Sequence, residues 1–161
     1  MNMKKIAIFI ATGFGSGYLP WAPGSWGAAV MLMCAWWLIE LPLVLYLGLI
    51  FFLFVTGIGV AEIADKHFAK ESGSVSDNDK IVIDEWVGIL ITLLPLFYFE
   101  KSLLHFGMAF LFFRIFDTLK FGLAKIMDQV HNRWGVMLDD VFAGLHATIF
   151  FFIALWIMYQ W

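Results

Sequence analysis

Two stretches of the chain run for more than five helical turns without a charged side chain. Leu41 to Ala61 spans 21 residues with no charge. At about 1.5 Å of rise per residue it reaches about 31 Å, the thickness of a bilayer's hydrocarbon core. Val141 to Trp161 is a second such run, with only His146 and Gln160 as strongly polar side chains. It closes on Trp156, Tyr159 and Trp161, amphipathic rings that favour the membrane–water interface. Both runs predict membrane-spanning helices.

Three further apolar runs are shorter. Ala28 to Ile39 follows a Gly/Pro-rich stretch, Trp86 to Phe99 contains Pro95, and Leu103 to Phe116 is interrupted by His105 and Arg114. Each is marginal for spanning alone and suits a tilted, re-entrant or internally packed helix. The expected fold is an all-α integral membrane bundle, one domain over residues 1–161, with four or five helices at membrane depth. Composition agrees: 62% of residues are hydrophobic and 14% charged, against about 45–50% and about 25% in soluble domains. A net charge of −3 and the lack of a basic stripe argue against a nucleic-acid partner. One cysteine, Cys34, excludes an internal disulfide or a thiolate zinc cluster and reads as a packing residue. Lys4-Lys5 and the apolar run Ile6 to Ala11 are broken at Gly13 with no small-x-small cleavage site following, so a retained amphipathic or interfacial start is expected.

The basic residues orient the chain. Lys66, Lys70 and Lys80 fall in segment 62–85, and Arg114, Lys120, Lys125 and Arg133 in segment 114–140. The turns around Glu40-Leu41-Pro42 and Glu100-Lys101-Ser102 carry one basic residue between them. The positive-inside rule places the long polar segments, including the turn-rich stretch 71–79, on the cytoplasmic side. With five spans the N-terminus is inside and the C-terminus outside.

Charge at the edges of apolar runs then becomes the informative feature. Of thirteen acidic residues, five (Asp84, Glu85, Asp117, Asp139 and Asp140) sit where an apolar run opens or closes. Ionised groups near a membrane span are costly and persist where they are paired or functional. Asp84-Glu85 is followed by Gly88, and Asp139-Asp140 by Gly144, so each pair has a glycine one helical turn deeper. The spacing suggests two helix N-termini brought together, their glycines allowing close backbone approach. Magnesium takes carboxylate, water and phosphate oxygens, and clustered carboxylates supply such a site. Helix capping is the plainer account of either pair alone.

Arg114, Asp117 and Lys120 recur every three residues and share a helical stripe. Two cations beside a carboxylate can hold a phosphate; equally they form a local salt-bridge stripe. The stretch from Thr12 to Gly27 offers Gly13-Phe14-Gly15-Ser16-Gly17, but no Walker lysine follows. It is either a structural turn or a source of backbone N–H groups for an anion. His146, seven after Asp139, reads as a packed histidine, and His67, His105 and His131 show no metal-ligand spacing.

Four pieces in order resemble the phosphatidylglycerophosphatase A family: Gly13 to Gly17 with Ala22-Pro23-Gly24-Ser25-Trp26-Gly27; Ile81-Val82-Ile83-Asp84-Glu85 with Gly88; Phe113-Arg114-Ile115-Phe116-Asp117 with Lys120; and Gly135 to Asp140 with Ala143-Gly144. The resemblance runs through nearly the whole chain. It implies a magnesium-dependent lipid phosphatase of the bacterial inner membrane that converts phosphatidylglycerophosphate to phosphatidylglycerol. It also implies Asp84, Glu85, Asp117, Asp139 and Asp140 as the acidic site and Arg114 and Lys120 as phosphate partners, with the metal on some of Asp84, Glu85, Asp139 and Asp140. Attack by water and attack by an Asp both remain open, as do general-base and metal-ligand roles for Asp117. The chain departs from the family in Phe121-Gly122-Leu123 after Lys120, where Pro-x-Pro is usual, and in Asn132-Arg133-Trp134-Gly135 where a Gly-Gly pair is usual. Arg133 is a candidate substitute contact there. The rival reading is a divalent-cation transporter or small channel with an acidic vestibule, which requires polar positions at mid-membrane.

Overall fold

The computed structural model describes residues 3–72, 79–130 and 132–160; most of the expected polar loop, His131 and Trp161 lie outside the described residues. Every regular element among the described residues is helical. Helix α1 covers Met3–Ala11, α2 Pro23–Leu38, α3 Leu43–Ser72, α4 Ile83–Thr92, α5 Leu103–Leu119, α6 Leu123–Asp128 and α7 Arg133–Gln160; 3₁₀ turns occupy Ser16–Tyr18 and Leu94–Phe97.

Two helices are long and apolar enough to cross a membrane: Leu43–Ala69 within α3, 27 residues, and α7, 28 residues. Many of their large side chains point outward. Phe51, Phe52 and Val55 on α3 and Ile149, Phe150, Ile153 and Trp156 on α7 are all exposed, an apolar surface far beyond what a soluble protein presents. Both helices exceed the runs that predicted them. Helix α3 continues through Glu62, Asp65 and Lys66 because the charges pair: Lys66 Nζ lies 2.5 Å from Glu62, and Asp65 bonds Arg133 of α7. Helix α7 starts eight residues before Val141, with Asn132 accepting a hydrogen bond from Gly135 N–H at 2.9 Å as its cap.

The short central run Trp86 to Phe99 divides into α4 and the 3₁₀ turn holding Pro95, which lacks the N–H a longer helix would need. At ten residues α4 cannot span a bilayer. It is the core of the bundle instead: nine of its residues are buried, and α2, α3, α5 and α7 pack around it. A helix apolar on all sides must be enclosed. Enclosure leaves its last carbonyls away from water, and neighbours supply the donors. Tyr46 of α3 donates to Leu90 O at 2.9 Å and Thr148 of α7 to Ile91 O at 2.8 Å. Helices α4 and α7 cross at two glycines. A Cβ on Gly144 would lie 2.6 Å from Gly88 O, and one on Gly88 2.9 Å from Asp140 O. The tight turns at Glu40 and Lys101 lie at one end of the bundle, joined by an ion pair.

Candidate active site

At one end of the bundle a cavity of about 400 Å³ is lined by Ala22, Pro23, Gly24, Asp79, Ile81, Asp84, Glu85, Arg114, Asp117, Lys120, Val136, Asp139 and Asp140. All seven residues singled out from the sequence line it. They come from three helices: Asp84 and Glu85 from the first turn of α4, Arg114 and Asp117 from the last turns of α5 with Lys120 as its C-cap, and Asp139 and Asp140 from α7.

The two acidic pairs are not both at helix starts. Asp139 is the seventh residue of α7, and Asn132 already caps that end. Capping therefore does not account for burying Asp139 and Asp140, which are 6% and 5% exposed. What brings them to α4 is the Gly88–Gly144 crossing. Carboxylate oxygens of Asp84, Glu85 and Asp140 fall within 4.8 Å of one another, as a metal ion would require. Their oxygens are hard donors, suited to a cation such as magnesium. Glu85 Oε2 is buried and makes no hydrogen bond, an acceptor left short of positive charge. Burial, the largest cause, pushes the Glu85 carboxyl up to about 8, with the charges of Asp140 and Asp117 adding and contact with Asp84 opposing. A bound dication reverses this balance, so the donor set fits a metal.

Asp139 stands beside this trio with a different partner. Lys120 Nζ bonds its carboxylate and lies 2.6 Å from Asp128 of α6. Burial lowers the Lys120 affinity for its proton, but the hydrogen bonds to Asp128 and Asp139 outweigh it and the net shift is upward. Lys120 adopts the left-handed region (φ 44°), ending α5 where the sequence left open a continuing helix. Arg114 Nη1 lies 2.6 Å from Asp117 but is buried without an aligned hydrogen bond, so a donor remains for another acceptor.

The glycine-rich stretch does not supply N–H groups to the cavity from Gly13 to Gly17: each of those N–H groups bonds a carbonyl of the same segment or of α1. The contribution comes later. Gly24 lies so close to Glu85 that an added Cβ would be 2.0 Å from Oε1. Arg133 bonds Asp65 and is not among the cavity residues. His146 is half-buried, 2.6 Å from Phe142 O and stacked on Phe116. Sequence reasoning missed Asp79, exposed at the cavity, and Asp128, which bonds Lys120. Asp79 read as turn chemistry, and Asp128 is eight residues from Lys120, a spacing that only the short helix α6 brings together.

Comparison with known proteins converges on one family. The profile of "Phosphatidylglycerophosphatase A" matches residues 9–155. A Haemophilus influenzae protein of that name is 33% identical over 168 aligned positions, covering 97% of this chain and 96% of its own. The Escherichia coli protein of that name is 36% identical over 155 positions, 95% and 86% of the two chains. A Bacteroides thetaiotaomicron protein named "Putative phosphatidylinositol-3-phosphatase" is 33% identical over 157 positions, 95% and 96%. No solved structure gives a significant match. With a family match over almost its full length and relatives above 30% identity, this chain belongs to the phosphatidylglycerophosphatase A family of phosphatases.

Proposed function

We propose that this enzyme is a magnesium-dependent lipid phosphatase that hydrolyses phosphatidylglycerophosphate to phosphatidylglycerol and phosphate in phospholipid biosynthesis. Its site works at the cytoplasmic face of a bacterial inner membrane. The observation that carries the reading is the convergence of Asp84, Glu85 and Asp140 within 4.8 Å, in one cavity with Arg114 and Lys120. The substrate follows the family description and the names of the Haemophilus and Escherichia relatives. The Bacteroides relative's name shares with theirs a phosphate on a lipid headgroup.

Six carboxylates and two cationic side chains line the cavity. A phosphomonoester dianion cannot enter such a field unless further positive charge is present. Asp84, Glu85 and Asp140 would hold magnesium, with Asp139 next to them, and the ion would supply neutralisation of phosphoryl oxygens. Arg114 offers its open Nη1 donor to a phosphoryl oxygen and stabilises the charge that develops there. Asp117 holds that guanidinium at the cavity wall, and Asp139 with Asp128 holds the Lys120 ammonium.

In the membrane, α3 and α7 span, while α2, α5 and α4 with its 3₁₀ turn complete four or five helices at membrane depth. The basic segments lie in the cytoplasm with the cavity. The Glu40–Lys101 end lies outside. A cation transporter is the weaker reading, because the cavity's acids gather at one end of the bundle.

The test is phosphate release from phosphatidylglycerophosphate in mixed micelles by the purified protein, with magnesium or with a chelator. Turnover requires magnesium, and Asp84→Asn and Asp140→Asn each abolish it while leaving folded protein. Normal turnover in both variants, or turnover indifferent to the chelator, refutes the site.

A further inference from the structure

Trp21 stands against the usual behaviour of a large apolar side chain. It is 89% exposed, although Ala22, Pro23 and Gly24, the next three residues, line the acidic cavity. Its backbone is left-handed (φ 62°), and so is that of Ala22 (φ 58°). Two successive non-glycine residues in this region are strained, and such strain persists where the surrounding structure imposes it. The result is a sharp reversal that turns the indole outward and keeps the following residues on the cavity wall. The neighbouring Trp26 braces the turn, its indole N–H donating to Pro20 O at 3.2 Å.

A second exposed apolar group follows another cavity residue along the chain. Lys120 lines the cavity, and the flanking Leu119 and Phe121 are exposed, as are Leu123 and Ile126 of α6. Lys120 too is left-handed (φ 44°), so its ammonium turns inward between outward apolar neighbours. The cavity is thus polar within, and exposed apolar side chains adjoin its lining residues at two places along the chain. That is the complement of an amphiphile whose phosphate is covalently tied to acyl chains. Trp is at home where hydrocarbon meets headgroups, and the exposed apolar flanks of α3 and α7 put this chain in contact with lipid.

Resting on the lipid-phosphatase reading above, we propose that Trp21 on one side and Phe121, Leu123 and Ile126 on the other form a port. The port sits at the hydrocarbon boundary and seats the acyl chains, past their fourth carbon, of the lipid whose phosphate reaches Arg114 and Lys120. These side chains position the substrate and take no part in the chemistry.

Two measurements test the port. In the first, turnover of long-chain phosphatidylglycerophosphate in phosphatidylcholine vesicles is compared with that of a dibutanoyl analogue dissolved as monomers. Trp21→Ala and Phe121→Ser each raise the vesicle KM about tenfold, the worth of one large apolar contact, with kcat held. The dibutanoyl substrate shows no such rise, and Trp21→Phe restores the vesicle KM. Equal losses on both substrates, or none on vesicles, overturn the port. The second measurement needs no turnover. A polarity-sensitive fluorophore on Trp21→Cys, in a Cys34→Ala background, is blue-shifted in vesicles and quenched by nitroxide lipids labelled near the headgroup. A water-like, unquenched spectrum overturns the port even if the enzyme hydrolyses lipid. A wild-type protein inactive on lipid phosphate, with the fluorophore quenched, refutes the phosphatase reading and leaves the interfacial placement standing.

Discussion

At the scale of single residues, Glu85 concentrates the electrostatic problem of the site. Its carboxyl is pushed from 4.5 to about 8, chiefly by burial. Without metal, the folded protein keeps this proton in a pH range where the unfolded chain has released it. The stability it contributes is present below about pH 4.5 and is lost as pH rises through about 8. Thermal melting of the chelator-treated protein should therefore fall between pH 5 and 8.5, most steeply midway between the two pKa values and levelling off above about 8. Magnesium should flatten that slope, and Glu85→Gln should reduce both the slope and the magnesium effect. Identical slopes with and without magnesium in the native protein would show that Glu85 does not face the ion. The carboxylates themselves were legible in the sequence, since charge at the edge of an apolar run has few inexpensive explanations. Their partners were less so: Asp128 reaches Lys120 through a turn that the resemblance did not anticipate.

Between elements, the decisive contact is the α4–α7 crossing. A glycine four residues after Asp84 and another four after Asp140 were visible in the sequence. What the pattern could not show is that these glycines meet each other, with Gly144 against the Gly88 backbone. Gly144→Ala forces the helices apart at the level of the site. It should cost about 1–3 kcal/mol, as overpacking does, and lower activity more than melting temperature suggests, because Asp140 moves away from Asp84. Melting in detergent beside kcat reads both; an unchanged kcat would mean the site tolerates a wider crossing. The buried end of α4 supports a second prediction. Tyr46→Phe leaves Leu90 O without its donor, and Thr148→Val does the same to Ile91 O. Each should destabilise by about 1–3 kcal/mol, the cost of an unsatisfied buried group, measured by thermal unfolding in one detergent. Nothing in the sequence marked these hydroxyls, because Tyr and Thr inside apolar runs are commonplace until a neighbouring helix ends beside them.

For the whole molecule, the proposed orientation is open to direct mapping. In a Cys34→Ala background, Ser102→Cys should react with an impermeant maleimide added outside intact spheroplasts. Lys125→Cys should react only after permeabilisation. The reverse pattern would put the acidic cavity on the outer face and displace the biosynthetic reading. The two turns near residues 40 and 101 already share one end of the bundle through the Glu40–Lys101 pair, so one label reports on both.

Hydrophobic run length alone determined that two helices could cross a bilayer, because hydrocarbon thickness sets a minimum number of residues. Residue type and spacing also determined which carboxylates and cations to examine, because burying charge is too costly to be incidental. Only the tertiary structure decided that α4 is an enclosed core helix, since a ten-residue apolar segment is equally consistent with several depths. It alone decided that Asp84, Glu85 and Asp140 face one another while Asp139 is drawn to Lys120. Adjacent residues on a helix point about 100° apart, and which of them meets a neighbouring helix depends on where the two backbones can touch.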